Sequence, residues 1–410
     1  MNKHPDLTIT REQAGDYLAC LHFDTGDGGS APHAEPDPVE IGNRIIDAVR
    51  RLGCVQYDPL DVVGRNHDLV LQSRVSGYRP DTLGQVLYGP TPRKLVEGID
   101  KMLAMYPVED WPCLMRTRRR LFAEYGSRPA VAGVLPDVRR FLSQMEGSVS
   151  SEDLDYDEKV RWPWGSTRLS RAVLEALWYG GEVVLHHRER ARRFYGLTSR
   201  FLPPSVMDCA DPFPDDASYF RWHTLRRIRG VGMLRDRPGS AWLGIDGFGS
   251  AARSAAFRDL FDSGDLVPVQ IEGLPAQQPY YIATQDLPVL ERALRDGAPG
   301  HARMLAPLDN LIWDRRMVSE IFGFDYTWEV YTPVVKRKYG HYVLPVMLGG
   351  RFVARFEPEP HRAGRPLVVR HWWWEDDAGT NPEVRGSVES ALERFAAYLG
   401  AESIEMETPF

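Results

Sequence analysis

Residues 170–197 read Ser170-Arg171-Ala172-Val173-Leu174-Glu175-Ala176-Leu177-Trp178-Tyr179-Gly180-Gly181-Glu182-Val183-Val184-Leu185-His186-His187-Arg188-Glu189-Arg190-Ala191-Arg192-Arg193-Phe194-Tyr195-Gly196-Leu197. Ser170, Val173, Leu174, Leu177 and Trp178 recur at helical spacing, and the Gly180-Gly181 pair supplies a stop. Two short strand patterns follow, Glu182–Leu185 and Arg193–Leu197, on either side of the polar turn His186–Arg192. A helix running directly into a basic hairpin is the layout of a winged helix. In that fold a helix enters the major groove and the hairpin touches the DNA backbone. The layout recurs downstream. Tyr219–Ile228 and Ser250–Phe261 predict helices, and Leu266–Ile271 and Pro279–Ala283 predict hairpin strands around Glu272–Gln278. No residue-level repeat joins the two modules, so the likeness is one of layout.

Working outward, Thr10-Arg11-Glu12-Gln13 reads as a capping box that opens a helix through about Phe23. The Gly-, Pro- and Asp-rich stretch Thr25–Pro38 has no periodicity and predicts a mobile loop. Ile41, Ile45, Ala48, Val49 and Leu52 line one helical face, with Gly53 as its stop. A basic helix is expected around Arg116–Arg120. From Arg303 the pattern turns to β. Thr332–Val335, Tyr342–Leu348, Arg351–Phe356 and Leu367–Trp373 read as short strands of a small sheet or barrel, closed by an amphipathic helix at Ser387–Leu399. The expected class is α+β, in four consecutive segments. Residues 1–150, 151–215 and 216–300 are winged-helix units, and 301–410 are a barrel with its closing helix.

Composition narrows the function. The chain has 410 residues, 43% of them hydrophobic and 11% aromatic, which supports a packed core. No run approaches the roughly 18 apolar residues of a membrane span. The amino terminus lacks a signal-peptide pattern, so a cytoplasmic, nucleoid-associated protein is expected. Cys20, Cys54, Cys113 and Cys209 are scattered, which makes a zinc site improbable. The net charge of −7 argues against indiscriminate nucleic-acid binding. Between His186 and Arg237, however, eleven arginines face six acidic residues, the pattern of a local basic stripe.

The strongest chemical candidate is Gln56-Tyr57-Asp58. In an extended segment residues i and i+2 share a face, so Gln56 and Asp58 would project together, and Pro59 keeps Asp58 out of the helical region. An amide beside a carboxylate can hold a water for the carboxylate to act on. A capped loop with a surface aspartate would read the same way. Nearby His67 could meet a phosphate or a flipped base, or be an ordinary loop histidine. Gly247-Phe248-Gly249-Ser250-Ala251-Ala252, with Glu272 beyond it, has the outline of a dinucleotide-binding fingerprint. Because Glu272 opens a hairpin and no alternating strand–helix units surround it, a helix entry built from small residues fits better. Trp372, Trp373 and Trp374 would alternate faces in a strand, one packing inward and another able to stack on a base.

Three stretches together resemble the winged-helix crosslink-repair DNA glycosylases, the AlkZ and YcaQ family. The first is Ala48-Val49-Arg50-Arg51-Leu52-Gly53-Cys54-Val55-Gln56-Tyr57-Asp58, with Arg65, His67, Ser73 and Arg74 after it. The second is Leu174–Trp178 with Gly181–Val184, Arg193, Tyr195 and Leu202-Pro203. The third and most specific is Leu305-Ala306-Pro307-Leu308-Asp309-Asn310-Leu311-Ile312-Trp313-Asp314-Arg315. It continues through Phe322-Gly323-Phe324, Tyr326, Glu329, Tyr331, Pro333 and Tyr339–Pro345.

The resemblance implies three winged-helix units arranged in a C around the duplex and closed by a small β-barrel. Gln56-Tyr57-Asp58 resembles the Gln-apolar-Asp subgroup. That subgroup is associated with unhooking interstrand crosslinks and removing N7-alkylguanine monoadducts. It implies Gln56 and Asp58 as catalytic residues, with Tyr57, Arg65, His67 and Glu97 at the substrate. Phosphate contacts are expected from Arg188, Arg190, Arg192, Arg226, Lys336 and Arg337. The implied partner is double-stranded DNA carrying alkylated or crosslinked bases, bound by a monomer, with no metal or organic cofactor. Two departures stand out. Thr25–Pro38 is an insertion, and Glu97-Gly98-Ile99-Asp100-Lys101 stands where relatives tend to read Glu-Tyr-Trp-x-His, which bears on the shape of the lesion pocket. Two other readings stay open on the sequence: a non-catalytic winged-helix transcriptional regulator, and a nucleotide-cofactor enzyme using Gly247 and Gly249.

Overall fold

The structure is a computed structural model that describes residues 7–23, 37–89, 91–163 and 165–408. Most of the expected loop Thr25–Pro38 lies outside them. The chain divides into two compact units. One comprises the residues up to Arg79, Phe220–Leu243 and the chain from Gly247 onward; the other comprises Pro80–Tyr219 with Gly244–Asp246. Among the described residues no helix is long and apolar enough to cross a membrane.

In the first unit, helix Arg11–Phe23 opens on the expected capping box. The Gln13 side chain accepts from the Thr10 backbone N–H at 2.9 Å, and the Thr10 hydroxyl accepts from the Gln13 N–H at 3.1 Å. Tyr17 and Leu18 are fully buried. A Cβ on Gly15 would stand 2.4 Å from the Gly350 carbonyl oxygen, so glycine is what lets the helix lie against that turn. Helix Pro38–Leu52 is capped by Asp37 and ends at Gly53, whose φ of +75° suits glycine.

Strand Leu7–Ile9, absent from the sequence reading, runs parallel to Leu266–Ile271 in register Leu7↔Val269. Tyr280–Ala283 then closes the expected hairpin on the other side. The Gly247–Gly249 segment leads into helix Ser250–Asp262. Trp242 belongs to a 3-10 turn, not to the strand a dinucleotide fingerprint needs before its glycines.

The C-terminal part holds a five-stranded sheet in the order Ala302–Met304, Leu344–Leu348, Arg351–Pro358, Leu367–Trp374 and Ile404–Met406. It is a half-barrel. The last strand runs parallel to its neighbour, and among the described residues the two outer strands are not paired with each other. The expected strand Thr332–Val335 does not form. Its residues lie in a loop of 3-10 turns. Helix Pro382–Leu399, capped by Asn381, extends the predicted Ser387–Leu399 by five residues at its start.

A buried polar cluster ties this unit together. Arg74 forms a two-pronged pair with Asp309, at 2.7 and 2.8 Å, and also donates to His22 Nδ1 at 2.9 Å. The other ring nitrogen of His22 meets the Val231 carbonyl at 3.0 Å. Burial, with Arg74 beside it, pushes the His22 imidazole down to about 3. Between that value and the ordinary histidine range the unfolded chain binds a proton that the folded one refuses. Stability therefore falls as pH drops through this window. Taking the protein from pH 7 to pH 5 is expected to cost about 2 kcal/mol through His22 alone. Urea unfolding of the wild type and a His22→Gln variant at the two pH values checks this, and equal pH slopes would remove the assignment.

In the second unit the helix Leu169–Gly180 is central, buried from Leu169 through Trp178 except at Arg171, and stopped by Gly181 in the left-handed conformation. Helices Met115–Tyr125 and Pro129–Gln144 pack on it, as does the hairpin of Val183–Glu189 with Arg192–Leu197. The turn expected to span His186–Arg192 shrinks to Arg190-Ala191, with Arg190 at φ 55°, and the basic residues are themselves in the strands. Alternation then sends some of them inward.

Candidate active site

The stretch that carries Gln56 and Asp58 has almost no regular structure of its own. Its strand is only Val55–Gln56, so its backbone groups need other partners. Side chains supply them. Asn310 donates to the carbonyls of Leu52 at 3.3 Å and Cys54 at 3.0 Å, and Arg226 donates to Gly53 at 2.8 Å. Asn66 donates to the Gln56 carbonyl at 2.8 Å while its own oxygen accepts from the Leu308 N–H at 3.0 Å. A Cβ on Gly230 would stand 2.4 Å from the Leu52 oxygen, so helix Asp216–Val231 also comes up close. The result is a rigid frame under an irregular segment.

Leu305–Arg315, the most specific stretch of the sequence, is what builds this frame. Asp309 takes Arg74 and the Leu311 N–H; Asn310 takes the Leu52 and Cys54 carbonyls. Trp313 donates to the Leu308 carbonyl at 2.9 Å and Arg315 to that of Pro307 at 2.9 Å. Asp314 caps helix Arg315–Phe322. Neither Asn66 nor Asn310 has a role that the sequence alone assigns. The legible signal was polar side chains set inside an apolar run. Asn66→Ala strands the Gln56 carbonyl and the Leu308 N–H. It is expected to cost about 1–2 kcal/mol of stability. Thermal unfolding checks it, and an unchanged melting temperature would show that other groups hold the segment.

Gln56 and Tyr57 are buried, and Asp58 is half-buried. Since the strand stops at Gln56, strand alternation does not orient Asp58. Its Oδ1 accepts from the Leu60 N–H at 2.9 Å, an Asx turn across Pro59. Burial pushes the Asp58 carboxyl above the usual carboxylate range, against the opposing pull of the Leu60 N–H and of His67. Tyr57 and His67 stack, with centroids 4.5 Å apart at 16°, and both are buried. His67 Nε2 lies 3.6 Å from Asp68, which accepts from Tyr78 at 2.5 Å. Tyr342, also buried, has its hydroxyl proton held more firmly by burial, by Tyr326 and by the charges of Asp58 and Asp61. Arg65 precedes helix Asn66–Gln72 and faces Asp61 at 3.9 Å.

Thus Gln56, Tyr57, Asp58, Arg65 and His67 belong to one short segment of the first unit. Glu97 belongs to the second unit, where it is buried in strand Leu95–Ile99. Tyr88 donates to its Oε1 and Arg188 grips both its oxygens.

Arg188, expected at a phosphate, is thus held in an ion pair with Glu97. Arg226, also expected at a phosphate, is buried, donates to the Gly53 carbonyl and lies over the Trp222 ring at 5.0 Å. Nor is the arginine-rich stretch one open basic stripe. Arg193 meets Glu175, Arg221 meets Asp265, and Arg235 and Arg237 meet Glu320. Arg192 is exposed but pairs with Glu152 at 2.8 Å, and Arg190 stands exposed at the hairpin tip. Lys336 is exposed, while Arg337 is half-buried and donates to the Thr332 carbonyl at 2.9 Å.

Two comparisons bear on this frame. Residues 49–398 match the family model described as DNA glycosylase AlkZ-like. The fold resembles that of Streptomyces sahachiroi DNA glycosylase AlkZ, with a TM-score of 0.60 and 17% identity over 98% of this chain and 99% of that one. The matched span takes in both the Gln56–Asp58 segment and the Leu305–Arg315 stretch that holds it. On that match the chain belongs to the AlkZ-like DNA glycosylases, enzymes of DNA repair.

Proposed function

We propose that this glycosylase hydrolyses the N-glycosidic bond of N7-alkylated purines and unhooks interstrand crosslinks, with Asp58 and Gln56 as its catalytic pair. The observation that carries the reading is a half-buried carboxylate of raised basicity, seated on a segment whose backbone is pinned by Asn66, Asn310 and Arg226.

Alkylation at N7 makes guanine cationic, so the base leaves as a neutral molecule and needs little acid help. As the C1′–N9 bond breaks, positive charge gathers on the sugar, and the Asp58 carboxylate stabilises it. Gln56 orients a water whose oxygen attacks C1′, and Asp58 takes the proton that water gives up. A carboxylate more basic than usual accepts that proton more readily. The same Asp58 is reachable from solvent, which suits a base still tethered to the opposite strand and unable to swing fully into a deep pocket.

The helix–hairpin successions Leu169–Gly180 with Val183–Leu197, and Ser250–Asp262 with Leu266–Ala283, support a tandem winged-helix reading of the DNA-binding surface. On this reading Arg190, Arg192 and Lys336 take phosphates, and affinity falls with salt. The test is incubation with duplexes carrying N7-methylguanine or a nitrogen-mustard crosslink, followed by alkaline cleavage. Strand breaks at the lesion are the expected result. Firm duplex binding with sequence preference and no breaks would favour a regulator.

A further inference from the structure

Residues 329–340 form a loop that is braced from within and apolar at its tip. The buried Glu329 carboxylate accepts from the backbone N–H groups of Lys338, Tyr339 and Gly340 at 2.7, 2.9 and 3.3 Å, closing the base of the loop. Arg337 ties back to the Thr332 carbonyl, and short 3-10 turns occupy Glu329–Tyr331 and Val334–Lys336. On this support Tyr331 is 86% exposed, Val334 73% and Val335 92%. Three apolar side chains held in water by a stiff backbone are unfavourable for an isolated protein. Their number is too small for a protein–protein interface, which needs on the order of 1,200 Å². One or two such side chains do fill a gap between base pairs.

The surroundings point to the same occupant. Lys336, Arg337 and Lys338 follow the tip directly, and Lys336 and Lys338 are exposed. The loop is also coupled to the catalytic segment. The Tyr331 ring meets Trp328 edge-on at 5.9 Å, Trp328 meets Tyr342 at 6.5 Å, and Tyr342 shares the electrostatic neighbourhood of Asp58.

We infer that Tyr331, Val334 and Val335 are a wedge that enters the base stack of duplex DNA beside the nucleotide being cleaved, while Lys336 and Lys338 take the adjoining phosphates. The inference rests on the proposed base-release activity for its placement. The wedge opens the stack and so exposes C1′ to the Asp58 water without requiring the base to leave the helix. This gives a crosslinked guanine, which cannot leave, a route to the carboxylate.

The experiment uses the full chain and a duplex with 2-aminopurine next to an N7-methylguanine. An Asp58→Asn background keeps the lesion intact during the measurement. Binding is expected to raise 2-aminopurine fluorescence about threefold or more, and the added pair Val334→Ser/Val335→Ser is expected to abolish the rise. With Asp58 restored, the serine pair should slow base release about tenfold while changing duplex affinity less than about threefold. Release should recover when an abasic site faces the lesion, because the stack is then already open. Both valines are exposed, so an unchanged melting temperature is expected for the serine pair. A fluorescence rise that survives the serine pair overturns the wedge, as does a loss of affinity that fully accounts for the slower release. If the parent protein releases no alkylated base yet the rise still depends on the valines, the wedge stands and the catalytic reading fails. Base release without any rise means the reverse.

Discussion

Asp58→Asn is expected to slow release of N7-methylguanine from duplex DNA by about 10³-fold or more while leaving duplex affinity within about threefold. On the proposed mechanism, the amide keeps the size of the side chain but loses both the charge that faces the sugar cation and the site that takes the water's proton. A pH profile sharpens the expectation. The reactive form is the carboxylate, and burial raises its affinity for protons. The rate should therefore fall as pH drops, with a midpoint above the ordinary aspartate value, whereas the N7 cation does not titrate in that range. The stability effect has the opposite sign. A carboxyl with a raised folded-state pKa favours folding only while protonated, and that contribution is lost as pH rises through the raised value. Asp58→Asn should then be at least as stable as the wild type at neutral pH. Loss of activity with an equal or higher melting temperature supports the assignment; retained activity removes it.

Asp309→Ala is expected to be the most damaging single change to the fold, at about 3–5 kcal/mol. Its side chain is fully buried, and it accepts from Arg74 at 2.7 and 2.8 Å and from the Leu311 N–H at 3.0 Å. Burial alone would raise its carboxyl; the Arg74 guanidinium outweighs this and holds it below the usual range. Removing the aspartate leaves a guanidinium that is only 2% exposed facing His22 without its counter-charge. A double variant, Arg74→Met with Asp309→Leu, removes both charges and should recover much of the loss. Urea unfolding of the three proteins checks the ordering. A single-variant cost below about 1 kcal/mol would show that Arg74 finds another acceptor.

What could be read from the sequence was what depends on near neighbours. The Thr10–Gln13 capping box, the Gly53 and Gly181 stops and the two hairpins follow from residues a few positions apart, and they stand where expected save that the first hairpin's strands run on to a two-residue turn. Long-range partners were not legible. Arg188 reads as a wing cation until Glu97, 91 positions earlier, takes it inside, and Arg226 is claimed by a carbonyl 173 positions away. Thr332–Val335 has the β-branched content of a strand. Without a neighbouring strand to share hydrogen bonds, the Glu329 brace decided its course instead. The half-barrel lacked any local sign of whether its edges would meet. At the site, Gln56 and Asp58 stood out by type and spacing. What orients them is the Asx turn at Leu60 and the carboxamides of Asn66 and Asn310, the last of them 256 positions from the carbonyl it holds.

That separation matters for the order in which a ribosome delivers the chain. Residues 80–219 are nearly sufficient for their own unit and can condense as soon as they emerge. The unit that holds Gln56 and Asp58 cannot. Strand Leu7–Ile9 waits for Leu266–Ile271, and the Cys54 carbonyl waits for Asn310. A nascent or truncated chain ending before residue 310 therefore carries the whole proposed catalytic motif yet lacks the Asn310 carboxamide that sets it. An enzyme that leaves abasic sites in a genome is thus expected to stay silent until residue 310 has been made, and termination before that point to yield an inert fragment in place of an unregulated one.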